Sequence, residues 1–304
     1  MDAEVLELSV ATPLAHALAA DVARRRGIRA LSIKGPVAEY HGLRAPRMSA
    51  DADVLVDPAR FVEFCDELAG RGWRTRVGRD TPSLLPQHSA TYIHPDWPCD
   101  IDVHWMFPGF FADAEIAFEA LWMSRSTVSI ANARVFAPSR PGTAVVMALH
   151  AVRDLRAERH RSERVLVLKA LTHSFTENER DEFTSIVREG GAGWALKEFL
   201  AQAGLPSVGD DGDEDGRRGW DIFRSNVDDA SSVAWWRQVG EARWWQKPAW
   251  LWRAVWVSRR DVPRNDADSL PSHREAWRYR LHRWGRGWRA TMRHLHGNGK
   301  ERAR

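Results

Sequence analysis

The fold is decided by the stretch Arg47-Met-Ser-Ala-Asp51-Ala-Asp53-Val-Leu-Val56. Two aspartates spaced i, i+2 lead into an apolar, β-branched run that ends before Asp57-Pro58, which predicts a β-strand. Residues two apart in a strand point to the same face, so the carboxylates of Asp51 and Asp53 lie side by side. Like charges so close repel unless a cation lies between them, and hard oxygen ligands suit Mg²⁺. The alternative is an edge strand that begins with solvated acidic residues.

A second strand, predicted over residues 100–106, also carries ionisable residues on one face. Strand alternation places Asp100, Asp102 and His104 on one side and Ile101, Val103 and Trp105 on the other. One face is thus apolar, and the opposite face needs water, a metal or polar partners. The alternatives are an exposed sheet face and, for His104, a hydrogen-bonded sheet residue.

Other segments around these two strands are predicted from apolar periodicity and from turn residues. We expect helices over residues 4–26, 37–41 and 61–68, with Gly27 and Gly70 as terminators of the first and third. Strands are expected over 28–33, 73–77 and 90–94, the last forming a hairpin pair with 100–106. A turn, Lys34-Gly35-Pro36, separates the first strand from the second helix.

Charge is distributed unevenly along the 304 residues. Residues 1–215 carry 24 basic and 32 acidic side chains, whereas residues 216–304 carry 20 and 9. The basic C-terminal part suggests a polyanionic or acidic partner. The two cysteines, Cys65 and Cys99, lack zinc-ligand spacing and fit a reducing compartment. No secretory signal or membrane-spanning run is recognisable, so a cytoplasmic location is expected.

Several motifs occur in a recognisable order: a Lys-Gly turn with a following helix, an Arg shortly before an Asp-x-Asp strand, and an Asp-x-His-Trp strand. In this chain they are Lys34-Gly35-Pro36, Arg47, Asp51-Ala-Asp53 and Asp102-Val-His104-Trp105. The chain thereby resembles the bacterial family known as uncharacterised nucleotidyltransferases, within the superfamily that shares a DNA-polymerase-β-like core. The resemblance covers about residues 25–110 and continues more weakly to about residue 175.

The resemblance implies a fold, an activity and a set of site residues. The fold would be α+β: a polymerase-β-like nucleotidyltransferase core with a mixed sheet and flanking helices, then a helical domain and a Trp/Arg-rich helical extension. Asp51, Asp53 and Asp102 would hold Mg²⁺, with Mn²⁺ as the alternative, and Asp102 would also take a proton from the acceptor hydroxyl.

The same resemblance assigns the nucleotide side of the site. Lys34 and Arg47 would neutralise the phosphates of a bound NTP, and Gly35 would let backbone amides approach them. His104 would orient Asp102 or the acceptor. Many superfamily members have Ser after the Gly, whereas this chain has Pro36, which offers neither a hydroxyl nor an N–H.

The second half of the sequence is predicted to be helical. Ser139-Arg-Pro-Gly142 is interpreted as a hinge, and residues 143–171 as one long helical stretch. His150, His160 and His173 lack metal-ligand spacing and are interpreted as ordinary helical histidines. The predicted domains are residues 1–135 (core), 136–204 (helical domain), 205–216 (acidic linker) and 217–304 (extension).

Tryptophan is concentrated in the extension, where residues 220–288 contain 11 of the 16. We expect Trp277, Leu281, Trp284, Trp288, Met292 and Leu295 on one helical face flanked by arginines. Such a segment packs on the core or forms an oligomer, lies on an anionic membrane surface, or binds RNA by stacking and charge.

The sequence therefore predicts a metal-dependent nucleotidyltransferase that moves a nucleoside monophosphate from an NTP to an acceptor and releases pyrophosphate. The acceptor is left open among a small molecule, a peptide or protein, and an RNA end. The alternative is a non-catalytic binding protein on a decayed transferase fold, acting through its basic aromatic C-terminal segment on nucleic acid, a membrane surface or a protein.

Overall fold

The computed structural model describes residues 6–76, 88–154, 157–209, 214–225, 239–240, 242–262 and 270–301. Residues 210–213 of the predicted linker and residue 77 of a predicted strand lie outside this part. The chain divides into two compact units, residues 1–75 with 87–220 and residues 76–86 with 221–304. The predicted domain boundaries stay a proposal.

The first unit contains seven strands and nine α-helices in the described part of the chain, and the last α-helix crosses the boundary between the units. The strands are β1 (Ala30–Ile33), β2 (Asp51–Val56), β3 (Arg74–Thr75), β4 (Ser89–Ile93), β5 (Asp100–His104), β6 (Ser126–Ile130) and β7 (Ala133–Ala137). The helices are α1 (Leu8–Arg26), α2 (Gly35–Tyr40), α3 (Phe61–Ala69), α4 (Ala114–Met123), α5 (Arg140–Arg153), α6 (Glu158–His173), α7 (Glu177–Glu189), α8 (Gly193–Gln202) and α9 (Glu214–Ser225).

Five strands form a mixed sheet in the order β1-β2-β5-β4-β3. Strand β2 is antiparallel to β1 and parallel to β5, and β4 is antiparallel to both β5 and β3. The α+β class and the hairpin pair β4–β5 are therefore confirmed. The parallel pairing of β2 and β5 brings together the two strands that carry the acidic motifs.

One face of this sheet is apolar and forms the core with α1 and α3. Val54 and Val103 from the sheet pack there with Ala15, Phe64 and Leu68, all of them buried. Helix α1 ends at Gly27, as predicted, because this residue adopts φ 63° and donates its N–H to carbonyls of the last turn. Since strand side chains alternate, the acidic residues of β2 and β5 lie on the opposite face of the sheet.

Two predictions for the middle of the chain were wrong. The hinge Ser139–Gly142 is the start of α5, where Ser139 caps the helix by accepting a hydrogen bond from the Gly142 N–H at 3.1 Å. The single stretch 143–171 is divided into α5 and α6, because the backbone leaves the helical region at Asp154 (φ −140°, ψ 92°).

The hairpin β6–β7 was not predicted. Its two turn residues, Ala131 and Asn132, both have positive φ (48° and 61°), as a tight two-residue hairpin requires. The usual signal for such a turn is Asn-Gly or Asp-Gly, and Ala at the first position hides it.

In the second unit, the described helices include Lys247–Val255 and His273–Glu301. Arg280 donates through Nε and Nη2 to the carbonyl of Val257 at 2.9 and 2.8 Å, so it joins the second helix to the segment after the first. Arg280 is buried, whereas Trp277, Leu281 and Trp288 are exposed. Among the residues described, no helix combines the length and apolarity needed to cross a bilayer.

Candidate active site

The register of β2 and β5 places the acidic residues opposite each other. Asp53 faces Asp102 across the parallel pair, and Asp51 faces Asp100. His104 pairs with Leu55, one step further along the same face. The i, i+2 spacing on each strand therefore becomes a two-by-two array of carboxylates with an imidazole at its end.

Lys34 supplies the positive charge at the centre of this array. It lies between β1 and α2 with φ 55°, an uncommon conformation for a residue with a side chain that often marks functional sites. Its Nζ lies 2.5 Å from Asp53 Oδ1, and His104 Nε2 lies 3.0 Å from the same oxygen. The sequence predicted that His104 orients Asp102 or the acceptor, whereas in the structure its Nε2 contacts Asp53.

The pKa values of Asp51 and Asp53 are shifted in opposite directions. Burial alone would raise the pKa of Asp53, but Lys34 and His104 more than offset it and hold that pKa well below its usual range. Burial, followed by the negative charge of Asp53, raises the pKa of Asp51 to about 6. A cation placed beside Asp51 would relieve this repulsion.

Asp102 has a hydrogen-bond partner that the sequence did not indicate. Thr91 on β4 donates its hydroxyl to Asp102 Oδ1 at 2.5 Å. Thr91 pairs with Asp102 in the β4–β5 register, so its side chain lies on the same face. This bond fixes one oxygen of Asp102 and leaves the other for a metal or an acceptor proton.

All seven predicted site residues line one cleft of about 370 Å³. They are Lys34, Gly35, Arg47, Asp51, Asp53, Asp102 and His104. Helices α5 and α6 form a further wall of the cleft, to which they contribute Met147, His150 and Glu163. The sequence did not reveal that these helical residues belong to the site, because only tertiary packing brings α5 and α6 to the sheet.

Arg47 connects the sheet side of the cleft with the helical wall. Its Nη2 donates to Glu163 Oε1 on α6 at 2.6 Å, while Glu163 Oε2 lies 3.0 Å from His150 Nδ1 on α5. Burial lowers the pKa of His150 to about 3, so this imidazole is neutral near pH 7. Arg47 is 40% exposed and Glu163 only 4% exposed at their side chains, which leaves the guanidinium accessible to a ligand.

Gly35 lies at the centre of a second polar group that the sequence did not reveal. A Cβ at Gly35 would lie 3.5 Å from Ser49 Oγ, 3.6 Å from His16 Nε2 and 3.8 Å from Arg44 Nη1. Arg44 Nη1 also donates to Ser49 Oγ at 2.9 Å. His16 is fully buried, and neither of its ring nitrogens has a hydrogen-bond partner in the described part of the chain. Such buried, unpaired donors and acceptors favour a polar ligand at this turn.

The residues present fit a divalent cation. Asp53, Asp102 and His104 each offer one ligand atom, and these atoms lie within 4.8 Å of one another. Asp51 lines the same cleft but falls outside this group, and the predicted ligand set of Asp51, Asp53 and Asp102 stays a prediction. Carboxylate oxygens from adjacent strands are the ligands that Mg²⁺ prefers.

The model of the family described as "Uncharacterised nucleotidyltransferase" matches residues 15–205, and the chain belongs to this family. No curated protein matches the chain. Three solved structures are similar at low identity. One is an antigenic nucleotidyltransferase-like protein from Paracoccidioides brasiliensis, with 9% identity over 64% of this chain and 94% of that chain and a TM-score of 0.37. Another is the lincosamide antibiotic adenylyltransferase LnuA bound to lincomycin, with 13% identity over 57% of this chain and 94% of that chain and a TM-score of 0.32. The third is the antibiotic-resistance factor ANT(2'')-Ia, with 16% identity over 64% of this chain and 91% of that chain and a TM-score of 0.35.

Proposed function

We propose that this member of the uncharacterised nucleotidyltransferase family transfers a nucleoside monophosphate from an NTP to an acceptor and releases pyrophosphate. The observation that carries the proposal is the pairing of Asp53 with Asp102 across β2 and β5, with Lys34 on Asp53. Asp51, Asp53 and Asp102 would hold Mg²⁺ or Mn²⁺, which when bound neutralises triphosphate charge and acts as a Lewis acid.

Asp102 is the residue proposed to activate the acceptor. It takes the proton of the acceptor hydroxyl as that oxygen forms a bond to the α-phosphorus of the NTP. The bond from the α-phosphorus to the bridging oxygen breaks, and pyrophosphate leaves with the electron pair. The hydroxyl of Thr91 orients Asp102 for this step by occupying one of its oxygens.

Lys34, Arg47 and the turn at Gly35 are proposed to bind the phosphates. Pro36 cannot supply the hydroxyl or N–H that many superfamily members use here. Ser49 and Arg44 offer a replacement, because the Ser49 hydroxyl and the Arg44 guanidinium lie where a side chain on Gly35 would project. A ligand with several acceptor oxygens would accept hydrogen bonds from the Ser49 hydroxyl and from Arg47.

The acceptor in this proposal is a small molecule, a peptide or protein, or an RNA end. For an RNA acceptor, binding weakens steeply with salt and is lost on truncation after Ser225, the last residue of α9, because the basic extension then supplies phosphate contacts. For a small-molecule acceptor, binding is insensitive to this truncation.

The test is calorimetric titration of the full chain with each NTP, with and without Mg²⁺. We expect metal-dependent binding in the wild type and its loss in the double variant Asp51→Asn/Asp53→Asn. The matched control is Asp96→Asn, which removes an exposed carboxylate from the turn between β4 and β5. Binding that survives in the double variant, or that is absent from well-folded wild type, would refute the proposed site.

A second candidate function is binding through the C-terminal unit, without catalysis. The observation that favours it is the exposure of Trp244, Trp252 and Trp288, which are 78%, 62% and 68% exposed. Exposed aromatic side chains among arginines suit stacking with nucleic acid bases or insertion into a membrane surface. This function predicts binding of RNA or anionic vesicles that persists when Asp51, Asp53 and Asp102 are all replaced by Asn.

A further inference from the structure

We propose that α5 and α6 hold a Zn²⁺ ion between His150, His160 and Glu163, at the helical wall of the cleft. One ligand atom from each residue lies within 4.8 Å of the others, and all three residues are buried. His160 and Glu163 are spaced i, i+3 on α6, so they share one face of that helix. His150 reaches them from α5, which packs against α6.

The orientation of His160 is the first argument for a metal ligand. Its Nδ1 lies 3.1 Å from the carbonyl oxygen of Asp154, and a carbonyl only accepts, so Nδ1 carries the proton. Nε2 then presents a lone pair. His160 is 0% exposed, and its Nε2 has no hydrogen-bond partner within the described ranges. Metal-binding histidines are typically held in this way, with one nitrogen on a carbonyl and the other on the metal.

Glu163 is the second argument, because its two oxygens have separate partners. Oε1 accepts a hydrogen bond from Arg47 at 2.6 Å, and Oε2 lies 3.0 Å from His150 Nδ1. Ligands of a tetrahedral zinc ion are roughly 3.3 Å apart. The ion would therefore replace the proton between His150 and Glu163 with little movement, and the His150 imidazole would carry its proton on Nε2.

The ligand types favour Zn²⁺ over Mg²⁺. Two imidazole nitrogens and one carboxylate oxygen are a usual zinc set, whereas Mg²⁺ prefers oxygen ligands and water. A water molecule completes the fourth position. This second site is therefore chemically distinct from the aspartates of β2 and β5.

Zinc at this position would act through Arg47. The ion joins α5 to α6 and fixes Glu163, and Glu163 holds the guanidinium of Arg47 in the cleft. We therefore assign His160 as a positioning residue, which acts on the cleft through Glu163 and Arg47.

The experiment is equilibrium dialysis of the chelator-treated full chain against Zn²⁺, with excess Mg²⁺ present to occupy the acidic site. We expect one zinc per chain, and an increase in Tm with Zn²⁺ because the ion binds the folded state. His160→Ala is expected to weaken zinc binding by at least about tenfold, since it removes one of three ligands. The absorption spectrum of Co²⁺ in place of zinc provides a second readout.

Three further variants keep the result interpretable. Glu163→Gln retains the side-chain volume, and its zinc binding is the test of the site if His160→Ala does not fold. His173→Ala removes an exposed histidine from the same helix and should bind zinc normally. Asp53→Asn should also bind zinc normally, which separates this proposal from the transferase site. No zinc on the wild type, or zinc affinities of the His160 and Glu163 variants that equal the affinity of the wild type, would overturn the proposal.

Discussion

The ammonium group of Lys34 lies 2.5 Å from Asp53 Oδ1, and both side chains are largely buried, 14% and 7% exposed. Lys34 thus compensates a carboxylate that would be costly to bury alone. In the nucleotide complex, the triphosphate would compete with Asp53 for this cation. We therefore expect the loss of Lys34 alone to destabilise the free protein.

Replacing Lys34 by Met is expected to destabilise the free protein by about 3 kcal/mol, because Asp53 then keeps only His104 as a partner. The measurement is urea denaturation of the wild type, Lys34→Met, Asp53→Asn and the double variant. We expect the double variant to lose much less stability than the sum of the single changes. If the stability lost in the double variant equals the sum of the losses in the two single variants, Lys34 and Asp53 do not interact.

Asp51→Asn is expected to stabilise the metal-free protein at neutral pH. The folded-state pKa of Asp51 is about 6, above the ordinary value of 3.8, so ionisation opposes folding. Between these two values the folded state binds more protons than the unfolded state, and the contribution of Asp51 to stability falls as pH rises. The gain from the substitution is about 1–3 kcal/mol at pH 7 and vanishes near pH 4. Tm measured from pH 4 to 8 gives the result, and a gain that is independent of pH contradicts this account.

Gly35→Ala is expected to weaken NTP binding, and Gly27→Ala is its matched control. Both glycines have positive φ, 32° and 63°, so each substitution costs about 1 kcal/mol of backbone strain. At Gly35 the methyl group also meets Ser49, His16 and Arg44, whereas at Gly27 nothing lies within 4 Å. The prediction is confirmed if both variants lose a comparable amount of Tm and only the Gly35 variant loses NTP affinity.

Arg47→Ala is expected to reduce NTP affinity by about tenfold or more, since a charge-assisted contact contributes about 1.5–3 kcal/mol. Arg47→Lys should retain only part of the NTP affinity of the wild type, because an ammonium group cannot bind a phosphate in the bidentate geometry of a guanidinium. Arg60→Ala, which removes a partly exposed arginine paired with Glu63, serves as the control. Titration calorimetry at fixed Mg²⁺ measures all three, and equal affinity in the Arg47 and Arg60 variants would exclude Arg47 from phosphate binding.

Asp57→Ala tests the end of β2 independently of ligand binding. The Asp57 side chain accepts hydrogen bonds from the Ala59 N–H at 3.1 Å and from Arg29 Nε at 2.9 Å. Loss of this side chain is expected to lower the free energy of unfolding by about 1–2 kcal/mol, because it removes the helix cap and the partly buried ion pair with Arg29. Urea denaturation should show this loss, with NTP affinity unchanged because Asp57 does not line the cleft. A change in affinity would mean that the end of β2 positions Asp53.

The sequence alone determined the parts of this protein that depend on local order. Period-two alternation fixed which residues of β2 and β5 share a face, and Gly27 marked the end of α1. The acidic pairs Asp51/Asp53 and Asp100/Asp102 were therefore predicted with their orientation. The α+β class was predicted from the resemblance to the nucleotidyltransferase family, which rests on the order of the motifs along the chain.

Tertiary structure decided which groups meet across elements that are distant in the chain. The register of two parallel strands placed Asp53 opposite Asp102 and brought His104 to Asp53 instead of Asp102. Packing of α5 and α6 brought His150 to Glu163, and Glu163 to Arg47, over 116 residues of sequence. Local patterns carry no information on such contacts, because strand register and helix packing are set by burial of the whole apolar surface.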